Sequence, residues 1–163
     1  MKKVSIIAII VLVVVIPLLI FVFSGNGNIP IPLVEGLSWK STPKQTAQLL
    51  GEPVEEWLDS NVTGKNIYVY SANVLGHKAS VEVFFLNDKE PTNIYFTWEH
   101  CDEDFFDQVY ECIYSYCSND KNFYIKEYNK KDVLLGINNG ATGIYYTIKQ
   151  NGTTVEVICI YLA

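Results

Sequence analysis

The sequence predicts an α+β domain: an antiparallel sheet of about seven or eight strands with two helices packed on one face, after an N-terminal hydrophobic helix. Three observations predict it. Two segments carry helix start signals and helical spacing of apolar residues. Seven or eight short runs rich in Val, Ile, Tyr and Phe alternate like strands. The turns between those runs are short, which favours antiparallel pairing, and the helices stand apart from the strands in chain order.

The first element is an uncharged stretch of 20 residues at positions 4–23, preceded by Lys2 and Lys3. As a helix it spans about 30 Å, the thickness of a bilayer's hydrocarbon core. The two lysines place the N-terminus inside and the rest of the chain outside. Residues 1–24 therefore read as a transmembrane anchor or a signal segment. The expected location is the cell membrane, single-pass with the C-terminal domain outside, or secretion if the segment is cleaved. No cysteine follows the run directly, which excludes a lipoprotein anchor. Residues 25–38, GNGNIPIPLVEGLS, read as an extended linker, and residues 39–163 as the extracytoplasmic domain.

Thr42-Pro43-Lys44-Gln45 opens the first helix of that domain. Thr caps, Pro suits the first helical position, and Gln three residues after Thr completes a capping box. Gly51 and Pro53 stop it, with Ala47 and Leu50 toward the core. Residues 54–58 are a candidate short strand. Residues 66–74 and 79–86 flank Leu75-Gly76-His77-Lys78 as a hairpin. Residues 93–99 alternate, with Ile94, Phe96 and Trp98 on one side and Tyr95, Thr97 and Glu99 on the other. A second helix is predicted over residues 103–118, capped by Asp102, with a stripe of Phe105, Val109, Cys112, Ile113 and Tyr116. Four more strands follow at residues 122–128, 132–137, 142–149 and 154–161, with turns at Asn138-Asn139-Gly140 and Gln150-Asn151-Gly152.

The order is thus helix, about four strands, helix, about four strands. Gly36-Leu37-Ser38-Trp39, Thr42-Pro43-Lys44-Gln45 and Leu49-Leu50-Gly51-Glu52-Pro53 resemble the opening of β-lactamase-inhibitor-protein-like domains, shared with outer-membrane assembly lipoproteins of the SmpA/OmlA type. The tandem helix–four-strand unit also resembles the inhibitor. The resemblance implies the fold. It carries over no inhibitory contact residue, and the missing lipid-acceptor cysteine departs from the lipoprotein branch.

Composition narrows the function classes. Asn, Ile, Tyr and Lys are abundant, as in an AT-rich bacterial genome. The chain of 163 residues has 12 lysines, no arginine and 18 acids; two lysines precede the hydrophobic run, so the remainder carries a formal charge of −8. Such a surface repels phosphate backbones and lacks the bidentate base reader, which excludes nucleic acid as the expected partner. Cys101, Cys112, Cys117 and Cys159 are an even set, compatible with free buried thiols or with disulfides. They lack a zinc-type C-x₂-C spacing. His100-Cys101-Asp102-Glu103-Asp104 gathers possible ligands, but the acids suit a helix start. No serine lies in a nucleophile elbow. The expectation is no catalytic residue, no metal and no cofactor.

The sheet's second face is the candidate site. Charges mark the positions that meet water: Glu82 shares a face with Phe84, Glu99 with Tyr95, Lys149 with Tyr145, and Glu156 with Ile158 and Ile160. Tyr68 and Tyr70 alternate with Ile67 and Val69, and the tyrosine pair is assigned to this face. Tyr68, Tyr70, Phe84, Tyr95 and Tyr145 are therefore the expected binding residues, since tyrosine among scattered charges suits a protein interface. The expected function is a non-enzymatic module binding an envelope or secreted protein, with an inhibitor-like mode as one form of that binding. The alternatives are a structural protein of the cell envelope, or a small-ligand binder or enzyme at residues 100–104.

Overall fold

The computed structural model describes residues 29–59 and 63–162. The hydrophobic segment at 4–23 lies outside the described residues, as does the start of the expected linker. Among the described residues no helix is long and apolar enough to cross a membrane.

Helix α1 (Pro43–Leu50) forms as the capping box demands. The Thr42 hydroxyl accepts from the Gln45 amide at 3.3 Å, and Gln45 Oε1 accepts from the Thr42 amide at 2.9 Å. Four strands follow: β1 (Glu55–Leu58), β2 (Lys65–Val74), β3 (His77–Leu86) and β4 (Glu90–Trp98). Helix α2 (Phe105–Cys117) then leads into β5 (Phe123–Asn129), β6 (Asp132–Asn138), β7 (Gly143–Asn151) and β8 (Thr154–Leu162). All eight strands form one antiparallel sheet in the order β1-β2-β3-β4-β8-β7-β6-β5. Each half of the chain is a meander, and the two last strands, β4 and β8, meet at the centre. The halves are thereby related by an approximate two-fold axis normal to the sheet. That axis carries α1, which packs on β2, toward α2, which packs on β6 and β7.

One core lies between the helices and one face of the sheet. Val81, Val83 and Phe85 of β3, Ile94, Phe96 and Trp98 of β4, and Val155, Val157 and Cys159 of β8 supply its floor. Leu50 of α1 and Phe105, Phe106, Val109, Ile113 and Cys117 of α2 cover it. Burying each large side chain contributes about 1.5–3 kcal/mol before chain entropy is counted. The Trp98 indole N–H satisfies itself on the Val74 carbonyl at 3.2 Å, tying β4 to the end of β2.

Three expectations are corrected. The linker does not run to Ser38: Ile31, Leu33, Leu37 and Trp39 are buried in the core, and Pro30 pairs with Ser38. The segment doubles back through turns at residues 32–33 and 35–36, its aliphatic residues find apolar partners, and burial outweighs its linker-like composition. Helix α2 starts at Phe105, with Asp104 at the cap position and no side-chain cap bond, rather than after an Asp102 cap. The β2–β3 turn is only Leu75-Gly76, both at positive φ (53° and 80°), as a two-residue hairpin turn requires.

Candidate interaction face

The sheet's other face has no helix over it among the described residues. Pairing arranges its side chains in rows that cross all eight strands. The first row runs Trp57, Ile67, Phe84, Asn93, Ile160, Tyr145, Gly136, Tyr124. The second runs Glu55, Val69, Glu82, Tyr95, Ile158, Thr147, Leu134, Lys126. The third is polar from β2 to β6: Ser71, Ser80, Thr97, Glu156, Lys149, Asp132. A largely apolar first row and a second row with Val69, Tyr95, Ile158 and Leu134 among Glu55, Glu82, Thr147 and Lys126 thus lie beside a third that is hydrophilic throughout.

The first two rows pack laterally. Phe84 and Tyr95 lie 4.7 Å apart, and the Lys65 ammonium sits 4.9 Å from the Phe84 ring centre. Ile67, Val69 and Phe84 are buried yet stand apart from the main core. Trp57 and Tyr124, at the two ends of the first row, are the most open of its aromatics, 41% and 36% exposed. Tyr145 lies along its own strand over Gly143, and its hydroxyl accepts from Asn138 Nδ2 at 3.1 Å. In the third row Lys149 and Asp132 pair at 3.7 Å.

Of the five expected binding residues, Phe84, Tyr95 and Tyr145 fall together on this face. Tyr68 and Tyr70 do not: they pair with Val83 and Val81 and turn toward the helices. Tyr68 meets Phe85 edge-on at 5.6 Å and donates to Asp88 at 3.2 Å. Burial, then the Glu56 and Asp88 carboxylates, push its hydroxyl up to about 12. Burial raises Tyr70 likewise to about 12, helped by Glu52 and Glu56. Ile67 and Val69 occupy the open face instead. The sequence held the signal for this. Any hairpin loop with an even number of residues pairs odd positions of β2 with even positions of β3. Glu82 marks those even positions as outward. Trp57, Leu134 and Tyr124 were also missed: in the edge strands β1 and β5 the charges sit on both faces (Glu55 and Glu56, Lys126 and Glu127), and β6 carries only Asp132, at its first residue.

The corner at residues 100–104 divides. His100 is exposed and at positive φ (57°), and it borders a shallow cleft of about 480 Å³ with Val54, Glu55, Thr97 and Glu99. Cys101 turns inward: it is buried, its amide donates to Thr153 O at 2.8 Å, and its thiol lies 3.9 Å from Glu99 O. The two side chains point apart, so no Cys–His pair forms here. His77 rests its ring 4.3 Å from that of Phe105.

All four cysteines are free thiols. Burial raises each of them: Cys101 and Cys112 upward, Cys117 to about 12, and Cys159 well above the ordinary thiol range. A protonated thiol is a poor nucleophile and metal ligand. Among the described residues no group of three His, Cys, Asp or Glu side chains is placed to hold a metal ion.

No family model matches the chain, and no curated protein matches it. Among solved structures, it is similar to that of a DUF4309 family protein, YjgB, from Bacillus subtilis. The identity is 14% and the TM-score 0.47, over 84% of this chain and 89% of that one.

Proposed function

We propose that this protein is a non-enzymatic binding module that works outside the cytoplasmic membrane, held there by residues 4–23, and engages a protein partner through the open sheet face. The observation that carries the reading is the contiguous cluster of aromatic and aliphatic side chains across the first two rows, set among charged residues and beside a polar third row. A surface built only to face water has no need of Ile67, Phe84, Tyr95, Ile158, Ile160 and Tyr145 in adjoining rows. Aromatic and aliphatic side chains at the centre with charge at the margin match the composition of protein interfaces. The tandem helix–four-strand arrangement supports an inhibitor-like mode, in which a wide sheet receives another protein. The raised thiols and the divergence of His100 from Cys101 favour binding over catalysis.

The test is a photo-crosslinking side chain at Thr147, in the middle of the second row, in the full chain in its native envelope. A control carries it at Gln48, exposed on α1. The expected result is a protein adduct at 147 that is absent at 48 and lost when Ile160→Asp is added. No adduct at 147, or equal adducts at both positions, overturns the reading.

A further inference from the structure

We propose that the partner on this face is a second copy of the chain, seated sheet to sheet about a two-fold axis that runs along the strands between β4 and β8. The inference rests on the binding-face reading above and names its occupant. Such an axis lays β1 of one copy over β5 of the other, β3 over β7, and β4 over β8. A two-fold interface must be self-complementary, each residue meeting its counterpart twice.

The second row meets that demand in charge. Its β1 end is Glu55 and its β5 end is Lys126, while Glu82 of β3 lies over the uncharged Thr147 of β7 in the second copy. Glu55 and Lys126 are both exposed, and neither is among the ion pairs of the described residues, which join Lys65 to Asp59, Lys131 to Asp107 and Lys149 to Asp132. Lys126 instead lies over the Tyr128 ring at 4.7 Å. The axis brings Glu55 of each copy over Lys126 of the other. Both side chains are long enough to absorb the roughly 30° angle at which aligned sheets pack.

The first row meets the same demand in shape. Trp57 faces Tyr124 of the second copy, and Phe84 faces Tyr145, each contact made twice. Aromatic pairs of this kind contribute beyond the area they cover. The third row adds little, because Lys149 is already neutralised by Asp132 within the chain.

Size sets the strength. Eight strands span about 35 Å, and two rows about 14 Å, so each copy covers roughly 500 Å². The total of roughly 1,000 Å² sits at the lower bound for a specific interface. The dimer is therefore weak and reversible, suited to a protein concentrated in two dimensions.

The test compares the full chain, purified in detergent, with Glu55→Lys and Lys126→Glu, by sedimentation equilibrium over a range of concentrations. The wild type should dimerise reversibly, and each single variant should lose at least tenfold in dimerisation. An equimolar mixture of the two should recover it, because Lys at 55 then faces Glu at 126 and the native pair survives at the other contact. A monomeric wild type overturns the inference. So does a dimer that neither variant weakens, since it forms elsewhere. The crosslink at Thr147 separates this inference from the broader one. An adduct of twice the chain's mass supports both, and an adduct with a different protein alone sinks the self-association but keeps the face. No adduct sinks both.

Discussion

The ring of Tyr124 on β5 rests on Gly136, the residue directly opposite it on β6, so closely that a methyl group at position 136 would come within 2.5 Å of ring carbons. Gly136 is thus a seat for an edge-strand aromatic. Gly136→Ala should force the ring off the sheet and destabilise by about 1–2 kcal/mol, near the low end for overpacking because Tyr124 is partly exposed. Thermal melts should show a fall of about 3–6 °C. In a Tyr124→Ala background the same change should cost almost nothing, since the clash is gone. An equal cost in both backgrounds would show that Gly136 serves the backbone and not the ring.

Tyrosines of the covered face and of α2 make stability depend on alkaline pH. Tyr68, Tyr70 and Tyr116 are each raised to about 12, burial being the first cause in every case, and Cys117 is raised to about 12 for the same reason. In the unfolded chain a tyrosine titrates near 10 and a thiol near 8.5. Below those values both states hold their protons and the contribution is constant. Above them the unfolded chain releases protons that the folded chain retains, so stability falls as pH rises. The melting temperature should be level from pH 7 to about 8.5 and drop progressively toward pH 12. Tyr68→Phe should make the drop shallower above pH 10, and a slope unchanged by that substitution would remove Tyr68 from the account.

Much of the architecture was legible in the chain because its signals are local. The capping box at Thr42 and Gln45, the stop at Gly51 and the alternation of Ile94, Phe96 and Trp98 each depend on residues a few positions apart. Charge placement also sorted faces correctly on β3, β4, β7 and β8, as with Glu82 beside Phe84 and Lys149 beside Tyr145. Strand β2 has only Lys65, at its first residue, and there the tyrosines were assigned to the wrong side. Aromatic residues suit either face of a sheet, so identity alone did not decide; pairing with β3 did. The segment from Ile29 to Trp39 failed for a different reason. Its apolar residues are spaced by no regular period, and only the tertiary core tells them from an extended tether.

The thiols give a direct reading of core packing. Cys117 and Cys159 are fully buried, and Cys112 is half-buried with its sulfur 3.5 Å from the Pro32 carbonyl. A thiol-specific reagent at pH 8 should find no fast-reacting cysteine in the native protein and four after denaturation without reductant. Cys112 should lead among the slow ones, being the most accessible. Fewer than four thiols after denaturation would mean that a disulfide joins a pair the structure shows as free.

The last prediction concerns where the domain begins. Trp39 stacks on Tyr161 at 5.6 Å, and Ile31, Leu33 and Leu37 are nearly inaccessible within the same core. The segment is also braced on itself through the backbone: the Ile31 amide donates to the Leu37 carbonyl at 2.9 Å and the Trp39 amide to that of Ile29 at 3.0 Å. Truncating one such side chain to alanine costs about 2–5 kcal/mol. Losing four together costs about 8–20 kcal/mol, comparable to the whole 5–15 kcal/mol by which domains are stable. A chain starting at Ser41 should therefore fail to fold, although it keeps both helices and every strand, whereas one starting at Ile29 should melt cooperatively. Circular dichroism and thermal melts of the two truncations decide it. A cooperative transition in the shorter chain would mean that residues 29–40 lie on the core without completing it.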